Sequence, residues 1–142
     1  MLKNFFKKPK NKNSDNNILI IALLIHAAKI DENYTDVEKK IIIMAITNLK
    51  KISFEEAEKL VKLAEKKVEE SNQIIEFTRE IKKYSMEFRL KIIEIIWKIV
   101  YSDGTSDSYE SNLIRRICGL LYISDKDNGI IKMKIKSSLN KI

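Results

Sequence analysis

Two short acidic stretches contain the side chains of this protein that are best suited to bind a ligand. Six carboxylates form two groups of three: Asp31, Asp36 and Glu38, then Asp103, Asp107 and Glu110. Hard cations such as Ca²⁺ and Mg²⁺ prefer oxygen ligands, which carboxylates on a turn supply. The spacing differs from that of an EF-hand calcium loop. The sequence therefore predicts a divalent-cation site, for Ca²⁺ or Mg²⁺, at these turns.

Helix capping is the alternative interpretation of several of these carboxylates. Glu38 follows Thr35, and Glu110 follows Asp107, at the spacing of a capping box. In such a box the two side chains satisfy backbone N–H groups that the first turn of a helix leaves free. On this interpretation the protein binds no metal, and these carboxylates only begin helices.

The remaining three carboxylates differ in what they can do. Asp36 falls in the first turn of its helix, where a negative charge is favoured by the helix dipole. Capping does not account for Asp31 or Asp103, which makes these two the foremost candidates for cation ligands.

The elements around the acidic turns have a similar layout in both places. Three pairs recur at the same separation along the chain: Asp31 with Asp103, Thr35 with Asp107, and Glu38 with Glu110. In each place an apolar helix leads into the turn and a capped helix follows it. This pattern predicts two pseudo-repeated halves.

Composition and periodicity indicate helices throughout. The 142 residues include only three glycines and one proline, and apolar residues recur at helical spacing along most of the chain. The length fits one domain. We predict an all-α fold, a single compact bundle of about seven helices, over residues 18–142.

Three segments need individual predictions. Residues 18–28 are strongly apolar and are predicted to form a buried helix, with a signal peptide as the alternative because a basic arm precedes them. The helix that begins at Ser85 is apolar nearly all round, which predicts that it is the central helix. In the second helix, the helical spacing predicts a buried face of Val37, Ile41, Ala45 and Leu49.

The third helix and the last segment are read in the same way. Phe54, Ala57, Val61, Ala64 and Val68 form one apolar stripe of the third helix. After Ser124, isoleucine and methionine alternate with lysine, which is the period of a strand. A single strand in a helical protein lacks a partner, so a short helix is predicted.

The chain contains no pattern of a catalytic site. His26, Trp97 and Cys118 each lie in apolar surroundings and are interpreted as structural residues. No nucleophile with a base, phosphate-binding loop, cofactor fingerprint or zinc pattern is present. The sequence therefore predicts a protein that is not an enzyme.

The net charge of +7 lies at the two ends of the chain. Residues 1–17 hold five lysines and one aspartate, while residues 18–123 hold equal numbers of basic and acidic side chains. Residues 1–17 are predicted to be a flexible basic arm, whose Phe5 and Phe6 can contact an anionic membrane peripherally. The single cysteine excludes an internal disulfide, which fits a cytoplasmic protein.

Nucleic acid is the weaker alternative partner. Arg115 and Arg116, together with the lysines near the C-terminus, offer a basic patch. The sequence has no recognisable docking motif, and the body of the domain has no net charge. A protein partner is expected instead.

Several of these segments also resemble a known family. The residues that carry the resemblance are Phe77-Thr78-Arg79, Arg89, 97–104 and 110–121. They are similar to the tellurite-resistance protein TerB family of bacterial helical domains, over roughly residues 18–125. Ser102-Asp103-Gly104 and residues 114–121 match best.

The resemblance implies a role in stress tolerance and a divalent metal at the acidic turns. Glu32 stands where the family usually has glycine, so an equal metal site in both halves is not implied. The function expected is a non-enzymatic interaction or metal-sensing module. A metal-free protein-binding scaffold or co-chaperone-like adaptor is the alternative.

Overall fold

The computed structural model describes residues 16–29, 34–70, 74–103 and 108–139. Within these ranges it contains seven α-helices and one short 3-10 helix: α1 over 16–28, α2 Asp36–Lys50, α3 Phe54–Glu70, α4 Ile74–Ile81, α5 Met86–Val100, the 3-10 helix Tyr101–Asp103, α6 Ser108–Leu120 and α7 Asp125–Leu139. The prediction of an all-α bundle of about seven helices is confirmed.

The internal repeat stays a prediction. Asp31 and Asp107 lie outside the described residues, and so do the side chains of Asp103 and Glu110. Each of the three repeated pairs therefore has a member whose side chain cannot be compared with its counterpart.

Helix α1 is the most deeply buried element. Every residue from Ile20 to Ile25 is fully buried, and Ala27 and Ala28 are almost completely buried. His26, in the same helix, lies edge-on to Phe77 of α4 with ring centroids 6.4 Å apart. The prediction of a buried helix over 18–28 is confirmed, since only a helix surrounded by others can bury consecutive residues.

Helix α5 shares the interior with α1 and keeps one polar stripe. It buries Ile92, Ile93, Ile95, Ile96, Trp97, Ile99 and Val100. Its predicted central position is thus correct in part, because α1 has no comparable polar stripe and lies deeper. Helix α5 packs against α2, α6 and α7.

The predicted inner face of α2 is wrong. The helix buries Glu38, Ile42, Ile43 and Ile46, whereas Val37 is 59% exposed. Ile41, Ala45 and Leu49 are only half-buried. Periodicity does not distinguish the predicted face from the observed one, because α2 is apolar around most of its circumference. Packing against α3 and α5 determines which residues are buried.

Helix α3 follows its predicted stripe except at its first residue. Ala57, Val61, Ala64 and Val68 are buried, but Phe54 is 49% exposed. As the first residue of the helix, Phe54 lies at the edge of the packed surface. It keeps the helical spacing without reaching the core.

Four helices begin directly after a serine or threonine whose side chain caps the first turn. Ser53, Ser85 and Ser124 each accept a backbone N–H from the residue three positions later, at 3.1, 3.2 and 3.1 Å. Thr35 does the same for Glu38 at 3.1 Å. These bonds satisfy N–H groups that no earlier helical carbonyl can reach.

Helix α6 ends in a Schellman motif whose left-handed residue is not a glycine. Ile123 N donates to Cys118 O at 2.9 Å and Tyr122 N donates to Gly119 O at 3.3 Å. Tyr122 has the left-handed φ of 59° that this motif requires. Arg89 of α5 adds a further bond, because its Nη1 donates to Leu121 O at 2.7 Å.

The C-terminal segment is a helix, as predicted, and it is not short. Helix α7 has 15 residues and begins after the Ser124 cap. It buries Ile135 against α5. None of the helices in the described ranges combines the length and hydropathy needed to cross a membrane.

Candidate functional site

The first acidic turn is described only in part, and its best-defined carboxylate is a helix cap. Glu38 is 7% exposed. Its Oε1 accepts the backbone N–H of Thr35 at 2.7 Å, while Thr35 Oγ1 accepts the N–H of Glu38. This is the predicted capping box, with both hydrogen bonds present. Asp36 is the first residue of α2 and is exposed.

Behind this cap lies a cluster of charges around one tyrosine. Burial raises the pKa of Tyr34 above its ordinary value, and the carboxylates of Glu65 and Glu38 raise it further. Lys39 Nζ lies 3.3 Å from Glu65 Oε2, and Lys29 Nζ lies 5.7 Å from the centre of the Tyr34 ring. Lys39 therefore pairs with Glu65, and the Lys29 ammonium group adds a second positive charge beside the Tyr34 ring.

The contacts of Glu38 and Glu65 have a chemical consequence for cation binding. A divalent ion drawn to Glu38 or Glu65 would have to displace a hydrogen bond from the backbone or an ion pair with Lys39. Carboxylates without such partners offer an easier site. The sequence could not show the part played by Glu65, because it comes from α3 and reaches the turn only through packing.

The other predicted metal ligands lie outside what the structure describes, wholly or in their side chains. Asp31 and Asp107 fall between described ranges; Asp103 ends the 3-10 helix and Glu110 lies in α6, but their side chains are not described. Within the described ranges no three His, Cys, Asp or Glu side chains gather as a metal-binding group. The six-carboxylate site therefore stays a prediction.

The three residues interpreted as structural are placed accordingly. Trp97 is buried, and its Nε1 donates to Asn128 Oδ1 at 2.9 Å. Burial raises the pKa of the Cys118 thiol to about 12, with a smaller contribution from Asp125, so the reactive thiolate is disfavoured. Burial lowers the pKa of His26, and the Arg116 guanidinium lowers it further.

The predicted basic patch is partly occupied by contacts within the protein. Arg115 Nη2 lies 3.5 Å from Asp125 Oδ2. Lys132 Nζ lies 5.2 Å from the centre of the Trp97 ring, and Lys134 Nζ lies 3.3 Å from Glu94 Oε1. These cations are directed to different neighbours, which weakens the patch as a continuous phosphate-binding surface.

Comparison with known families identifies the domain. The family model described as tellurite resistance protein TerB matches residues 17–133, which is most of the chain. The chain belongs to the TerB family. Searches of curated proteins and of solved structures find no match. The TerB match spans α1 to α6 and most of α7, so both acidic stretches lie within it.

Proposed function

We propose that this TerB domain is a non-enzymatic interaction module that senses a divalent cation in stress tolerance. The observation that carries the proposal is the family match over residues 17–133. It includes both acidic stretches, whose carboxylates are the ligand type that Ca²⁺ and Mg²⁺ take. The tellurite-resistance type of stress is proposed from the family description.

Asp31 and Asp103 are the ligands on which we place most weight. Asp36, Asp107 and Glu110 are the further carboxylates available to the ion. Glu38 contributes least, since its Oε1 already accepts the Thr35 N–H at 2.7 Å. Binding of an ion between two helical turns would restrain both, and a partner could recognise that restrained surface.

A metal-free scaffold is the second candidate, and the Glu38 capping box favours it. Within the described residues, Glu38 caps α2 and Glu65 pairs with Lys39, and neither role needs an ion. On this proposal the domain binds its protein partner, as a scaffold or co-chaperone-like adaptor, whether or not a cation is present. A pull-down with and without chelator separates the two candidates.

Location and further partners are proposed from composition. Residues 1–17, with five lysines and one aspartate, are proposed to attract the domain to an anionic membrane from the cytoplasm. A nucleic acid ranks third as partner, because Arg115 is bound to Asp125 and Lys134 to Glu94. Binding to DNA or RNA would weaken steeply with salt.

Thermal melting of the full chain tests the cation site. The wild type is melted with chelator and then with Ca²⁺, Mg²⁺ or Zn²⁺, beside an Asp31→Asn/Asp103→Asn variant. An ion at about a hundred times its dissociation constant stabilises the folded state by about 2.7 kcal/mol. For a chain of this size we expect the melting temperature to rise by roughly 6 to 10 °C.

The outcomes are distinct. A rise with one cation that the double variant loses supports sensing at the acidic turns. A wild type that melts at one temperature with every cation contradicts the metal site and leaves the metal-free scaffold. A rise that persists in the variant places the ion elsewhere.

A further inference from the structure

Helix α2 has an apolar edge, beside its core face, that its own fold covers only in part. Ile41, Ala45 and Leu49 are half-buried, Met44 is 56% exposed and Val37 is 59% exposed. Ile41, Ala45 and Leu49 flank the core face of α2 and pack partly against the core, while Met44 and Val37 continue this apolar arc onto the exposed side. An apolar face left open beside a charged rim is typical of a protein–protein contact.

This face forms one wall of a groove between α2 and α5. The groove encloses about 450 Å³ and is lined by Ile41, Met44, Ala45, Asn48, Leu49, Lys91, Glu94, Ile95 and Lys98. Both walls lie within the described residues. The lining between Ile41 and Leu49 covers about two turns of helix, roughly 12 Å.

The two walls run in opposite directions. Lys50, at the end of α2, donates to Tyr84 Oη at 3.3 Å and lies 5.1 Å from the centre of the Phe88 ring at the start of α5. Since both helices then line one groove, they are antiparallel. Lys98 therefore lies towards the Ile41 end.

The charges beside the apolar floor are mainly positive. Glu94 Oε1 is shared by Lys134 Nζ at 3.3 Å and Lys98 Nζ at 4.0 Å. Lys91 Nζ lies 4.0 Å from Glu87 Oε1, and the Glu87 side chain is 84% exposed, so this pair is weak. Lys91 and Lys98 are about 10 Å apart along α5, which is two helical turns.

We propose that this groove binds an acidic amphipathic helix of a partner protein. Apolar residues spaced over two turns would enter between α2 and α5, and carboxylates beside them would meet Lys91 and Lys98. The chain's own residues 1–15 fit poorly, because they hold five lysines and one aspartate. This inference rests on the proposed interaction role and names its surface and its class of partner.

Two synthetic peptides of about four helical turns test the proposal. Both carry leucines at helical positions i, i+4 and i+7; one has glutamates beside them and the other has lysines. Each is titrated into the full-length protein, with fluorescence anisotropy for affinity and methyl NMR for position. We expect saturable binding of the glutamate peptide, with shifts at Ile41, Leu49 and Ile95, and at least tenfold weaker binding of the lysine peptide.

Variants separate the apolar from the charged contribution. Met44→Gln, at an exposed position, should lower the affinity for the glutamate peptide about tenfold. Lys91→Glu/Lys98→Glu should reverse the preference between the peptides. The matched control is Leu63→Gln, because Leu63 is 52% exposed on α3 and does not line this groove. The affinity of this variant for the glutamate peptide should stay within twofold of the wild-type affinity.

Other results would overturn the proposal. These are no saturation by the glutamate peptide, equal affinity for both peptides, or methyl shifts away from the groove. Light scattering that shows a dimer dissolved by Met44→Gln would assign the groove to a second copy. Flotation with phosphatidylcholine–phosphatidylglycerol vesicles, lost in Met44→Gln, would assign it to a membrane.

The test is independent of the cation test. A partner still captured by the Met44→Gln and Lys91→Glu/Lys98→Glu variants would refute this groove and leave the interaction role intact. Failure of every cation to change the melting temperature would leave the groove proposal as it stands.

Discussion

Individual charged and titratable residues in this domain are held by a few named neighbours. Glu38 is fixed by the Thr35 N–H, Glu65 by Lys39, and Arg115 by Asp125. The last pair is largely exposed, with side-chain exposures of 69% and 74%, and contributes little to stability. Glu38 is buried, so its hydrogen bond matters more to the fold.

His26 should make the stability of the domain depend on pH. Burial and the Arg116 charge lower its pKa in the folded state below 6.5. On acidification the unfolded chain therefore takes up the proton first. The free energy of unfolding should be fully retained above pH ~6.5 and should fall as the pH drops towards the folded-state pKa.

Urea denaturation of the wild type and of His26→Gln, between about pH 5 and pH 8, checks this prediction. The variant should lose less stability than the wild type on acidification below pH ~6.5, since it has no imidazole to protonate. Parallel loss in both proteins would show that other groups cause the effect.

At the scale of single elements, the helix ends are built in two different ways. The N-termini use Thr35, Ser53, Ser85 and Ser124, whose side chains accept N–H groups three residues on. The C-termini of α2 and α6 use left-handed residues that are not glycine, Lys51 with φ 54° and Tyr122 with φ 59°. These two positions carry backbone strain that a glycine would relieve.

Lys51→Gly should stabilise the protein. A left-handed residue with a Cβ costs roughly 1–2 kcal/mol, and the greater freedom of glycine in the unfolded chain offsets part of this gain. We expect the free energy of unfolding to rise by about 1 kcal/mol in urea denaturation. Lys51→Ala is the control, because it removes the charge and keeps the strain. Equal stability of the two variants would refute the strain argument.

At the scale of the whole molecule, α1 organises the core. Its residues from Ile20 to Ile25 are all fully buried, and His26 lies edge-on to Phe77 of α4. Helix α5 forms the second interior element, with its polar stripe on the surface. Part of the apolar surface stays exposed, since α2 leaves apolar residues such as Met44 open at the groove.

Leu24→Ala measures the contribution of α1. Removing a fully buried leucine side chain should lower the free energy of unfolding by about 2–5 kcal/mol, because lost burial and an internal cavity add together. Leu63→Ala, at a residue that is 52% exposed on α3, should change it by less than about 0.5 kcal/mol. Similar urea midpoints for the two variants would mean that α1 is not central to the core.

Features that depend on near neighbours along the chain could be predicted from the amino-acid sequence. The helical class, the approximate number of helices and the Thr35 cap of α2 were predicted because helical periodicity and i, i+3 hydrogen bonds are local. Among the six candidate carboxylates, the capping role of Glu38 was predicted for the same reason. The other ligands could be proposed only from residue type, spacing and family resemblance.

Tertiary packing decided what local pattern left open. The sequence predicted a buried face of α2 centred on Ile41 and Ala45, but contact with α3 and α5 buried Ile42 and Ile46 instead. Glu65 pairs with Lys39, and Arg89 donates to Leu121 O, across long separations in sequence. The groove beside Met44 exists for the same reason, because α3 and α5 cover only part of the apolar arc of α2.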